Sequence, residues 1–365
     1  MSEIVKFLAG LFRKEAKKEQ PEEESEEEKI RRALKKGRSV VLGELPKYKV
    51  RPQLVFVGSS KGGVGKSFLT ANLVVAVSAL SPSSRTIYAV DLDLDNQTVS
   101  IVLPPEGQAE ALIRSAHSSN LNLVSVADVF EKGLIPRSRD WGIMKFRGRT
   151  VSCAGAQVEY SFLLIPAYDR ARMKEQQVIM RSLGTAALRV GVDALISYFM
   201  ERKNTGKDFV VFFDGKQKSD LGINVEPIYK QLAEHSDVFL LVTEPPYLSF
   251  DDIVAPYRNS LDKIIIVVNK VDYAVLDRVQ LLVSDAIANN VPAFVVPRVS
   301  SDATTYTMQY RAPAAERLSR PTALHSLAMA YFLNLVDDDG LKMSGCDASV
   351  YAILMNYKKL FSARE

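Results

Sequence analysis

Short, nearly unbroken apolar runs punctuate the chain: Leu54–Val57, Thr86–Val90, Leu163–Ile165, Phe209–Phe213, Val238–Val242, Ile264–Val268 and Ala293–Val296. Apolar runs without polar alternation predict strands buried on both faces, as in a parallel sheet covered by helices. The intervening sequence agrees. Residues 168–207 read as mostly helical, and beyond Arg320 the positions Leu324, Leu327, Ala328, Tyr331 and Leu335 suit one packed helical face. The predicted fold is α/β: a three-layer, doubly wound, mostly parallel sheet flanked by helices. Residues 51–365 would form this domain.

The N-terminus follows a different pattern. Ile4, Val5, Phe7, Leu8, Leu11 and Phe12 cluster at helical spacing beside Lys6, Arg13, Lys14, Lys17 and Lys18. That predicts an amphipathic helix over residues 1–18, too short and too charged to span a bilayer but suited to a membrane interface. A partner protein or the chain's own core are the other surfaces such a helix can cover. Residues 19–50 read as a charged linker: an acidic, low-complexity run with Glu22–Glu24 and Glu26–Glu28, then basic Arg31, Arg32, Lys35, Lys36 and Arg38.

Chemistry enters where the first apolar run ends. The sequence there reads Gly58-Ser-Ser-Lys61-Gly62-Gly63-Val64-Gly65-Lys66-Ser67, followed by Phe68 and a helical stretch. A Gly-rich turn between strand and helix aims backbone N–H groups and the helix dipole at one spot, which suits phosphate. Lys66 can reach the β- and γ-phosphates, and the Ser67 hydroxyl can ligate Mg²⁺. Further on, Thr86–Val90 runs into Asp91-Leu-Asp93-Leu-Asp95-Asn96, and Phe209–Phe213 delivers Asp214 at its end.

Lys-Gly-Gly-Val-Gly-Lys-Ser, with its extra Lys61, is a deviant Walker A motif, and the chain resembles the MinD/ParA family of P-loop ATPases. The resemblance runs through Asn72, the acidic motif, Asp214 as Walker B, Asn269-Lys-Val-Asp272 and Pro297, from residue 54 to residue 298. It implies ATP with Mg²⁺ held by Ser67, Asp93 and Asp214, and catalysis by Lys61, Lys66 and Asp93, Asp91 being the second choice for orienting water. It also implies a nucleotide-dependent homodimer in which Lys61 crosses to the partner's nucleotide. Gly62, Gly63, Val64, Gly65, Lys66, Ser67 and Phe68 would hold the phosphates; Asn269, Asp272 and Pro297 would border the base. Asn-Lys-x-Asp is also how many GTPases read guanine, so GTP stays open beside ATP. Gly215-Lys-Gln-Lys departs from the family's small-Pro pair after Walker B.

Composition narrows the classes. The chain has 365 residues and a net charge of +4, too small to argue for nucleic acid. Cys153 and Cys346 lack Cys-x-x-Cys spacing, which argues against a zinc site and a disulfide framework and fits a reducing compartment. The iron–sulfur carriers and tail-anchored-protein targeting ATPases of the superfamily typically use that spacing, so both become disfavoured. His117, His235 and His325 are scattered. The expectation is a cytoplasmic ATPase, peripheral at the inner face of the cell membrane, with a protein activator. A DNA-partitioning role would need a basic face, for which Arg298, Arg311, Arg317 and Arg320 are candidates. Arg137, Arg139, Lys145, Arg147 and Arg149, interleaved with Trp141 and Phe146, read as an exposed hairpin.

Overall fold

A computed structural model describes residues 47–48, 50–59, 61–137, 141–215, 225–245 and 249–362. The expected helix at 1–18, most of the 19–50 linker and the Lys-Gln-Lys that follows Gly215 lie outside the described residues. Ten strands follow in chain order: β1 Leu54–Ser59, β2 Thr86–Asp91, β3 Asn122–Leu123, β4 Trp141–Gly142, β5 Met144–Val151, β6 Gln157–Ile165, β7 Phe209–Asp214, β8 Val238–Thr243, β9 Ile264–Val271 and β10 Ala293–Pro297. Eight of them form one sheet in the order β10-β9-β8-β1-β7-β2-β6-β5. All its neighbours run parallel except β5, which pairs antiparallel with β6.

Every residue of β1, β7 and β8 is buried, as their unbroken apolar sequences require when helices cover both faces. The helix Lys66–Leu80 is buried along most of its length and packs against the sheet and the helix Pro321–Phe332. The chain passes from β1 over β7 to β2 and later returns to β8 on β1's other side. The C-terminal ends of β1, β7 and β8 therefore flank the point where winding reverses, the usual crevice of doubly wound sheets.

The segment 125–130 forms a capped helix, Val126–Lys132. Ser125 Oγ accepts from the Asp128 backbone at 3.2 Å, and Asp128 Oδ2 accepts from the Ser125 backbone at 3.0 Å. The basic stretch 144–151 is the outer arm of a hairpin, with Lys145, Arg147 and Arg149 exposed and Phe146 buried. Gln108 caps this sheet edge: its amide donates to the Arg147 carbonyl at 2.6 Å and accepts from the Arg147 N–H at 3.2 Å. One amide thus satisfies both outward backbone groups of Arg147, which would otherwise be open to pairing with another chain. At the C-terminus, Val350 and Leu354 of helix Asp347–Ser362 are fully buried, so its apolar stripe packs on the core. Among the described residues no single helix is long and apolar enough to cross a membrane.

One expectation is corrected. Cys153 and Cys346 are joined by a disulfide, their Cα atoms 5.1 Å apart across a sequence separation of 193. Spacing misled because pairing depends on where the fold brings the ends, not on chain distance. Cys153 sits at the tip of the β5–β6 hairpin, and Ala154 donates to the Ser344 carbonyl at 3.0 Å just before Cys346. A reducing compartment therefore no longer follows from the two cysteines.

Candidate functional site

The loop between β1 and helix Lys66–Leu80 turns through two left-handed glycines, Gly63 (φ 78°) and Gly65 (φ 92°). Gly65 is required twice over. A side chain there is strained at that φ, and a Cβ would lie 2.2 Å from Asn269 Nδ2. Asn269 itself, buried at the end of β9, donates to the Val64 carbonyl at 2.9 Å. Its neighbour Lys270, at φ 56°, donates to the Gly63 carbonyl and pairs with Glu244 at 2.9 Å. Glu244 also lies 3.7 Å from Lys61. The loop is thus braced from β9 and from the residue that follows β8.

Asp214 is the centre of the site. Its carboxylate is fully buried and accepts Ser67 Oγ at 2.6 Å and Thr70 Oγ1 at 2.8 Å, one on each oxygen. Burial pushes it up to about 6, against the pull of Lys66 and of the two hydroxyls. Lys66, only 7% exposed, brings the countercharge. The Ser67 hydroxyl and the Asp214 carboxylate are hard oxygen donors on adjoining elements, the set a Mg²⁺ ion takes through one or two protein ligands and water.

Strand register places Asp91 of β2 directly beside Asp214 of β7. Asp91 is spoken for: it is fully buried and accepts Ser100 N at 2.8 Å, Ser100 Oγ at 2.6 Å and Asp93 N at 3.1 Å. Burial, and then the charge of Asp214, push it up to about 8. Asp93, two residues on, caps the next turn by accepting Asp95 N at 3.2 Å and Asn96 N at 3.0 Å. Its charge still reaches both Asp91 and Asp214 and raises each. Asp272 accepts from Ala274 N at 3.1 Å, and Pro297 ends β10 beside Val271.

The sequence-predicted residues therefore fall into two groups. Lys66, Ser67 and Asp214, with Asp93 next to them, share the end of β1, β7 and β2. Asn269, Asp272 and Pro297 share the ends of β9 and β10, Asn269 already touching the loop. Among the basic-face candidates, Arg320 is held by Asp302 at 3.2 Å and by Glu316 at 2.5 Å, and Arg311 donates to the Ala315 carbonyl at 2.8 Å. Both serve internal contacts. Sequence reading missed Thr70, Glu244 and Lys270. Thr70 had a signal, since it stands three residues after Ser67 on the same helical face. It also missed Tyr306 of helix Ser300–Gln309, whose ring meets Phe68 edge-on at 4.9 Å.

The family model of the CobQ/CobB/MinD/ParA nucleotide-binding domain matches residues 55–307. Several solved structures resemble the chain, among them the following three. The pNOB8 ParA is 13% identical, covering 86% of this chain and 99% of its own, with a TM-score of 0.49. The MinD cell division protein of Aquifex aeolicus is 18% identical, covering 77% and 96%, with a TM-score of 0.47. A ParA-family ATPase of Chlorobium tepidum is 14% identical, covering 76% and 98%, with a TM-score of 0.41. No curated protein matches the sequence.

Proposed function

The chain belongs to the CobQ/CobB/MinD/ParA nucleotide-binding domain family, and from that premise we propose that it hydrolyses ATP as a nucleotide-switched dimer that binds membrane reversibly and positions a cargo there. The observation that carries the nucleotide part is the constellation around Asp214, where Lys66, Ser67 and Thr70 converge on one buried carboxylate. Backbone N–H groups of the loop and Lys66 would hold the phosphates. Ser67 and Asp214 would hold Mg²⁺, which when bound supplies charge neutralisation at the phosphate oxygens. Asp93 would orient the attacking water. Catalysis of this kind is positioning plus electrostatics, with no covalent intermediate.

Dimer formation would send Lys61 across the interface. Within one chain it rests 3.7 Å from Glu244, half exposed, so a phosphate offered by a second copy would compete with that carboxylate. The membrane part rests on residues 1–18, whose apolar and basic pattern suits an interface. One such helix binds weakly, and two brought together by dimerisation gain by effective concentration. The protein would then be cytoplasmic and peripheral at the inner face of the membrane, with a protein activator setting its slow hydrolysis.

Co-sedimentation with anionic liposomes tests this reading, in ATP, a slowly hydrolysed analogue, ADP and GTP, with and without residues 1–18. Pelleting that needs both ATP and residues 1–18 supports it. Pelleting that ignores nucleotide and truncation contradicts the membrane part, and pelleting driven by GTP moves the base reading to Asp272. A DNA-partitioning role is the second reading, favoured by exposed Lys145, Arg147 and Arg149 on edge strand β5. Salt-sensitive, ATP-dependent binding to nonspecific duplex would support it.

A further inference from the structure

We propose that the acidic run Glu22–Glu28 docks, within its own chain, on a cationic, aromatic-walled cavity at the end of the sheet opposite the phosphate loop. The cavity holds about 510 Å³ and is bounded by Tyr88, Trp141 and Tyr198, with Arg137, Arg202 and Lys207 along it. That volume lies within the range of ligand-sized pockets. Lys207 precedes β7 at its N-terminal end, whereas the phosphate loop follows the C-terminal end of the parallel neighbour β1.

The cations here are steadied by rings. The Arg202 guanidinium lies 4.6 Å from the Tyr198 ring centre and 5.5 Å from that of Tyr88. Its Nε is buried with no hydrogen-bond partner. The Lys132 ammonium stands 3.9 Å from the centre of the Trp141 ring. Glu201 is the cavity's carboxylate, and Arg137 takes it at 2.6 Å. Arg202 also donates to the Tyr198 hydroxyl, and Glu201 is the one carboxylate in the lining set against Arg137, Arg202 and Lys207, so the cavity keeps an excess of positive charge that a further acceptor-only anion can answer.

The chain brings that anion to the place. Arg51 donates to Asp208 at 2.7 Å, and Gln53 donates to the Lys207 carbonyl at 3.0 Å. Arg51 and Gln53 therefore pass beside the cavity, and the chain behind them is held at Tyr48, which donates to the Phe332 carbonyl at 2.6 Å, and at Lys47, which pairs with Asp338 at 3.3 Å. Eighteen residues, 29–46, separate Glu28 from Lys47. Fully extended they reach about 60 Å, and as a coil about 25 Å. Six glutamates tethered at that distance face the cavity at an effective concentration on the order of millimolar, which favours even a weak, screened contact. Docked there, the run keeps residues 1–18 within reach of the core. The basic positions Lys29 to Arg38 compete for the same glutamates, and the test separates the two.

Zero-length carbodiimide coupling of the full-length protein at low salt, read by peptide mass spectrometry, locates the run directly. The expected result is an intramolecular amide from one of Glu22–Glu28 to Lys207 or Lys132, lost at about 1 M salt where the Debye length shrinks to about 3 Å. Trp141, the chain's single tryptophan, gives a second readout. Its protection from acrylamide quenching should be lost when the six glutamates become glutamine, a change that leaves the described core untouched. Both results are required. Amides confined to Lys29, Lys35 and Lys36, amides found only between two copies, or quenching that ignores the substitutions would each overturn the docking. Neither readout uses nucleotide, so failure here leaves the ATPase reading standing.

Discussion

The two buried carboxylates on neighbouring strands behave differently because their partners differ. Asp214 faces a lysine and two hydroxyls of the loop helix, so it can ionise and offer oxygen to a cation. Asp91 faces a serine and a backbone N–H, and its ionised form is disfavoured up to about pH 8. Lys66→Ala and Asp214→Asn should each lower ATP hydrolysis by about 10²–10³-fold, the usual loss on removing a preorganised electrostatic group. A phosphate-release assay checks this. Because Asp214 protonates near pH 6 when no cation is bound, Mg²⁺-dependent nucleotide affinity should weaken as pH falls through about 6, measurable by calorimetric titration. Asp91 has the sign of a raised folded value. The folded state holds the extra proton from 3.8 up to about 8, so its contribution is fully present below that window and is lost as pH rises through it. Wild-type stability to urea should therefore fall between about pH 5 and about pH 8, and Asp91→Asn, which cannot ionise, should flatten that slope.

At the scale of elements, the unbroken apolar runs were enough to predict the central strands, and the glycine pattern was enough to place the loop. The contacts that brace the loop were not legible. Nothing in Asn269-Lys270 says that one side chain bonds Val64 and the other Gly63, because those contacts depend on how β9 lies one strand beyond β8. The disulfide was misread for the same reason: its two halves meet only once the hairpin tip lies against the turn before Asp347–Ser362. Closing a loop of 193 residues stabilises by about 5 kcal/mol through chain entropy. Reduction, or Cys153→Ser, should lower the melting temperature on the order of 10 °C by scanning calorimetry. Gly65→Ala should abolish nucleotide binding, since both its φ and Asn269 forbid a Cβ. The same binding assay checks it, with circular dichroism confirming that the fold persists.

In the whole molecule a parallel sheet of the nucleotide-binding family follows a charged N-terminal sequence. On the proposed function, nucleotide switches the chain between one copy and two. Analytical ultracentrifugation of the wild type, Lys66→Ala and Lys61→Ala, each with ATP analogue or ADP, tests that claim most directly. The expected result is a dimer for the wild type in the ATP analogue alone, with both variants monomeric throughout. Identical sedimentation of all three proteins in both nucleotides would contradict it.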